Sequence, residues 1–313
     1  MKMEGVLYFI VVLISLTLIS GCISDTGQGG TPGAVGTKTT VKPAETGMKV
    51  TPEIYAAGVT AVAVKKKKLA LCDEIKNYKV SWRGCVSGVA IATKNIKTCD
   101  KIDFKSKEFK DCVSGVAVAK VAISECDKLG AGTKEWKSCV TGVAVASERT
   151  ANCKKLGEDT KEYVSCIIAV AAADENTGVC GKLGKGTKDY ADCIASVAAA
   201  DKNTGFCNRL GNKTTQAWKN CVADMASLVG NSALCSRIGD RSTTEWKNCV
   251  TGVAVSVVRT RVCNIRLDKN TPEWKNCIRS VAVASGKTAV CNILGTGSKD
   301  QTDCAAAVKA AKG

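Results

Sequence analysis

The chain has 313 residues, 19 of them Cys and none of them His, and its 45 Lys and Arg against 29 Asp and Glu give a net charge of +16. The absence of His excludes c-type haem attachment, HExxH metalloproteases, mixed Cys-His zinc sites and any catalytic apparatus built on an imidazole base. Aromatic residues are only 4% of the chain and its apolar 45% is mostly Ala and Val, too little bulk for one large globular core, while the charge favours anionic partners such as acidic glycans, lipid headgroups or nucleic acid.

Lys2 precedes an apolar run from Val6 to Ile19. The run is shorter than the roughly 20 residues of a transmembrane helix and reads as a signal peptide over residues 1–21. It ends in Leu18-Ile19-Ser20-Gly21-Cys22, which resembles the lipobox of bacterial and archaeal lipoproteins: aliphatic at −3, small at −2 and −1, then Cys. The resemblance implies that Cys22 is lipidated and becomes the mature N-terminus, making the outer face of the cell membrane the expected location. Residues 22–52 are rich in Gly and Thr, hold three of the four prolines and lack apolar periodicity, as a tether would. As a flexible coil this segment spans roughly 30 Å.

From residue 53 to 313 the sequence repeats. Setting Cys22 aside, the cysteines are Cys72, Cys85, Cys99, Cys112, Cys126, Cys139, Cys153, Cys166, Cys180, Cys193, Cys207, Cys221, Cys235, Cys249, Cys263, Cys277, Cys291 and Cys304, a period of 27 or 28 residues. A period of this size marks an array of supersecondary units stacked into a solenoid.

Thr133 to Gly157 serves as the type unit. Ser or Thr stands three residues before an aromatic position at Ser106, Thr133, Thr160, Thr187, Thr215, Thr243, Thr271 and Ser298, where the hydroxyl caps a helix start. An acidic residue follows in most units, and Pro272 sits at the first helical position, where a missing N–H costs nothing. Trp136, Cys139, Val140, Val143 and Ala146 form the expected buried face, and a small residue three after the Cys, such as Gly88, Gly115 or Gly142, allows a neighbouring helix to approach. Clusters such as Glu175-Asn176-Thr177-Gly178 then interrupt the helix. A second, shorter helix carries the next Cys and ends at a Gly expected to be a left-handed cap: Gly130, Gly157, Gly184, Gly211, Gly239 or Gly295. The competing reading is one continuous helix of about 24 residues, since a 14-residue step is close to four turns. Either way the fold class is all-α, a disulfide-stapled solenoid of about nine units.

Export places these thiols where disulfides persist. Pairing each short-helix Cys forward gives Cys72 with Cys85 and so on to Cys291 with Cys304, nine bonds with no orphan. Pairing along the other step leaves Cys72 and Cys304 single. A half-unit at Tyr55 to Val62 carries Gly58 where a long-helix Cys belongs, which forward pairing makes dispensable. The aromatic residue of each unit, Tyr55, Trp82, Phe109, Trp136, Tyr163, Tyr190, Trp218, Trp246 or Trp274, reads as core packing against the disulfide, with Gln301 replacing it in a polar terminal cap.

The sequence holds no CxxC pair, Walker loop or unique acid-base constellation, so neither cofactor, metal ligand nor catalytic residue is predicted. Lys65 to Lys68 read as a solvated run, and Asn212-Lys213-Thr214 is a single glycosylation sequon. Tyr55 to Val308 resembles the cysteine-containing helical repeats of archaeal and bacterial lipoproteins, a likeness that implies location and architecture only. The expected function is a non-enzymatic, lipid-anchored surface scaffold or interaction protein, its partner an anionic envelope polymer or surface protein, with no nucleic acid expected. The alternative is a thiol-based redox or metal-handling surface protein, and a ligand-capturing component of a transporter has little in the sequence to support it.

Overall fold

The computed structural model describes residues 51–312. Among them lie ten longer α-helices: α1 (Pro52–Lys66), α2 (Lys79–Thr93), α3 (Lys107–Lys120), α4 (Lys134–Ala146), α5 (Lys161–Ala173), α6 (Lys188–Asp201), α7 (Gln216–Leu228), α8 (Thr244–Ser256), α9 (Pro272–Ser285) and α10 (Lys299–Ala310). A short helical segment joins each to the next, and there is no strand among the described residues. The sequence-derived fold class holds: repeated two-helix units of 27 or 28 residues, each with one Cys pair.

The helix starts follow the sequence signals. Each of the eight named Ser and Thr caps accepts a hydrogen bond from the backbone N–H three residues on, as Thr133 does from Trp136 at 3.1 Å. Thr51 does the same for α1, whereas α2 starts at Tyr78 with no side-chain cap.

The helix ends do not. The left-handed residue falls at the end of each long helix but α10, at Lys67, Lys94, Val121, Glu148, Glu175, Lys202, Gly230, Val258 and Gly286, only two of them Gly. In every case the next residue's N–H bonds back to the carbonyl of a buried Ala five residues earlier, from Lys68 to Ala63 at 3.0 Å through Lys287 to Ala282 at 3.2 Å. This is a Schellman closure, and it excludes the continuous helix by reversing the chain. In four units Asn95, Asn176, Asn203 or Asn231 follows, and its side chain accepts from the amide two residues on, starting the return leg.

The return leg is mostly a 3₁₀ segment rather than the expected short α-helix; only Ile96–Cys99 and Thr260–Arg266 are α-helical. The rise explains it. A long helix advances roughly 20 Å, and a 3₁₀ segment, rising about 2.0 Å per residue against 1.5 Å, covers more of that length with a given number of residues. The glycines after these segments also differ from expectation. Gly130, Gly157, Gly184, Gly211 and Gly295 have positive φ but ψ far from the left-handed helical region, and Gly239 has no positive φ, its segment ending at Ile238.

The long helices form one layer and run parallel, because their cross-helix register increases in the same direction on both partners. Near the N-termini, the residue two before one Cys meets the residue four before the next, as Lys137 meets Glu162. Further along, a Cβ added to Gly88, Gly115 or Gly142 would lie 2.6, 2.4 or 3.0 Å from Val64, Ile91 or Val118 of the preceding helix, so the small residue permits close approach as predicted. Each long helix from α3 to α9 buries its aromatic, Cys, two aliphatic or Met side chains and an Ala, in α4 Trp136, Cys139, Val140, Val143 and Ala144. The expected Ala146 is exposed instead, and Ala144 takes the buried place.

A β-branched residue in the left-handed region is strained. Val121 sits there at φ 54° while 48% exposed, so it has little burial to lose. Val121→Gly is expected to stabilise the array by about 1 kcal/mol, read as a higher urea midpoint of the oxidised protein.

Candidate functional site

All eighteen repeat cysteines are placed as forward pairing requires. The bonds are Cys72–Cys85, Cys99–Cys112, Cys126–Cys139, Cys153–Cys166, Cys180–Cys193, Cys207–Cys221, Cys235–Cys249, Cys263–Cys277 and Cys291–Cys304, with Cα separations of 5.6 to 6.0 Å. Each joins a return segment to the long helix that follows it. Every one of these cysteines is at most 3% exposed. Attack on a disulfide needs a thiolate to reach a sulfur atom, and this burial restricts that access.

The aromatic position lies beside the staple. Phe109, Trp136, Tyr163, Tyr190, Trp218, Trp246 and Trp274 are buried, which bears out packing for most units. Tyr55 is 46% exposed, contrary to expectation, and among the described residues no return segment precedes α1. A further element escaped the sequence reading. The residue after the return-segment Cys is an acceptor for the next aromatic N–H: Trp136 Nε1 donates to Asp127 at 3.0 Å, Trp218 to Asn208 at 3.4 Å and Trp274 to Asn264 at 2.8 Å. Gln301, read as a polar cap, makes the same bond through its amide to Asn292 at 2.8 Å. The signal was an Asp or Asn nine or ten residues before a Trp or Gln. Trp82 has Asp73 at the matching position but makes no bond to it, and its indole nitrogen is buried and unbonded.

A ladder of ion pairs links the helix starts. Lys110–Glu135, Lys137–Glu162, Lys219–Glu245, Lys247–Glu273 and Lys275–Asp300 span 2.7 to 2.9 Å, and Arg83–Glu108 spans 3.6 Å. The acids expected to complement helix dipoles thus also tie successive units. The ladder stops where Val164 and Ala191 replace the base. In α7 the small position holds Asp224 instead; burial pushes its carboxyl up, and nearby Asp192 adds to this.

Asn212 is exposed in the loop before α7, its side-chain oxygen accepting from Thr214 at 2.9 Å. Lys65 to Lys68 are exposed at the end of α1. Cys22, the leader over 1–21 and nearly all of the 22–52 tether lie outside the described residues. Among the described residues, no three His, Cys, Asp or Glu side chains gather as a metal site would require, and no helix is long and apolar enough to cross a membrane.

Compared with known protein families, with curated proteins and with solved structures, the chain matches none of them. The molecule's chemistry therefore rests on its own residues. Charge is unevenly spread along the array: 15 bases against 9 acids over residues 51–130, 11 against 10 over 131–211, and 15 against 7 over 212–313.

Hydrogen bonds from the ladder lysines, then from their own backbone amides, hold Glu135, Glu162, Glu245 and Glu273 below the ordinary carboxylate value of 4.5. A carboxylate depressed in the folded state stabilises the fold above its unfolded pKa and loses that contribution as pH falls through the folded value. Thermal melts followed by circular dichroism are expected to shift downward between about pH 5 and about pH 2, and Lys247→Gln should make the dependence shallower.

Proposed function

We propose that the chain is an exported, lipid-anchored, non-enzymatic surface protein whose stapled array presents cationic surfaces to an anionic envelope polymer. The observation that carries this reading is one buried disulfide per unit, a pattern that suits an oxidising compartment. The lipobox-like Leu18 to Cys22 supports the anchor at Cys22, and the tether to residue 52 would hold the array off the membrane. Long-range attraction from the basic ends of the array supports the polymer partner, since oriented charge raises the local concentration of a polyanion.

The redox alternative asks for accessible thiols, and burial of every repeat sulfur weighs against it. Alkylation of the native protein without reductant, read by intact mass, separates the two. No labelled repeat cysteine is expected; several labelled ones would move the reading to thiol chemistry.

Two further measurements address location and partner together. Wild-type protein is expected to sediment with membranes and Cys22→Ser to appear in the soluble exported fraction; equal sedimentation removes the anchor. Oxidised protein is expected to bind polygalacturonate in low salt, to lose that binding as ionic strength rises past about 0.15 M, and to ignore neutral dextran. Equal retention by the two polymers would overturn the polymer reading.

A further inference from the structure

Because the array repeats, a binding site should appear where one unit departs from the rest. The strongest departure lies around the Cys180–Cys193 staple. In two later units, an Arg on one return segment reaches back to a hydroxyl three residues before the Cys of the preceding one. Arg237 donates to Thr204 at 3.0 Å, and Arg266 donates through Nε to Ser232 at 3.2 Å. The corresponding pair one unit earlier is Thr177 and Arg209, and it makes no such bond. Instead a cavity of about 380 Å³ lies between them, lined also by Gly181, Lys185 and Tyr190.

Three observations point into this cavity. Thr177 is 91% buried, at 9% relative exposure, and its hydroxyl has no protein partner. Arg209 and Lys185 have free cationic ends, whereas around the other cleft, beside Phe104 and Phe109, Lys110 and Lys128 already pair with Glu135 and Asp100. Gly181 stands where most other units carry Asp or Asn, and a Cβ there would touch nothing within 4 Å. Tyr190 is buried, and its hydroxyl donates to the Arg209 carbonyl at 3.2 Å, fixing the backbone that carries the guanidinium.

We propose that this cavity binds one oxyanion group, held by the Arg209 guanidinium, the Lys185 ammonium and the Thr177 hydroxyl. A fork of guanidinium N–H groups matches two oxygens of a carboxylate, sulfate or phosphate, and the ammonium adds a point charge. The Thr177 hydroxyl supplies a third donor. The site rests on the reading of an anionic polymer partner and gives it a discrete subsite, placed in the stretch of the array where the surrounding charge is nearly balanced.

The test is isothermal titration of the oxidised full-length protein in detergent with inorganic phosphate, sulfate and galacturonate as separate probes. Saturable binding of one equivalent is expected, with the tightest probe showing whether the group is a tetrahedral oxyanion or a carboxylate. Arg209→Gln and Lys185→Gln are each expected to weaken it about tenfold or more. Gly181→Asn, which restores the side chain other units carry, should abolish it without lowering the melting temperature. No saturable heat from any probe overturns the proposal, as does binding that the three variants leave unchanged. Phosphate binding without polygalacturonate binding would keep the site and remove the polymer reading; the converse would keep the polymer reading and remove the site.

Discussion

The structure depends on a covalent constraint: the bond between each return segment and the helix after it. Per unit the buried set is one aromatic, two aliphatics, an Ala and a Cys pair, much of it small. Such a unit cannot bury enough apolar surface to hold its own 3₁₀ leg against the entropy of the unfolded chain. Closing a loop of 13 or 14 residues removes part of that entropy in advance, by about 3 kcal/mol per bond in the chain-entropy model. The bond also fixes the height of the return segment against the helix. The aromatic can then lie beside the sulfurs, and its N–H can find the acceptor after the first Cys.

A second constraint follows from the parallel layer. Aligned helices present their positive ends along one edge and their negative ends along the other, an arrangement less favourable than antiparallel packing. The sequence answers at the N-terminal edge with a hydroxyl cap and an acid in most units, and places Lys65 and Lys66 in the last turn of α1 and Lys120 in that of α3. The ion-pair ladder then ties each acid to the helix before it. Single exposed pairs of this kind contribute little. Repeated along the edge, they set the register of one unit on the next.

Features governed by local chemistry were legible in the sequence. Ser and Thr caps, the period, the Cys register and the small residues at Gly88, Gly115 and Gly142 each announce themselves by residue type at fixed spacing. The helix ends were not, because Lys, Val and Glu carry no mark of the left-handed conformation, and the marker that does recur, the Ala five residues before the reversal, looks like ordinary core. The return legs were misread for a related reason. Their apolar spacing suits either helix, and no residue type marks the choice of 3₁₀, which covers more length per residue. Tyr55 was read as buried because its residue type matched the pattern, although among the described residues no return segment precedes its helix.

Repetition separates what the fold needs from what a single unit adds. A change that the fold merely tolerates should be scattered among the units, since each contacts only its neighbours. Around the Cys180–Cys193 staple the changes are gathered instead. Val164 and Ala191 end the ladder, Gly181 stands where most other units carry Asp or Asn, Tyr190 replaces Trp with a hydroxyl that grips Arg209, and the Thr177–Arg209 bridge is open. Together they leave the staple and the helix layer intact while opening one space lined by Thr177, Lys185 and Arg209, the arrangement from which the oxyanion site is proposed.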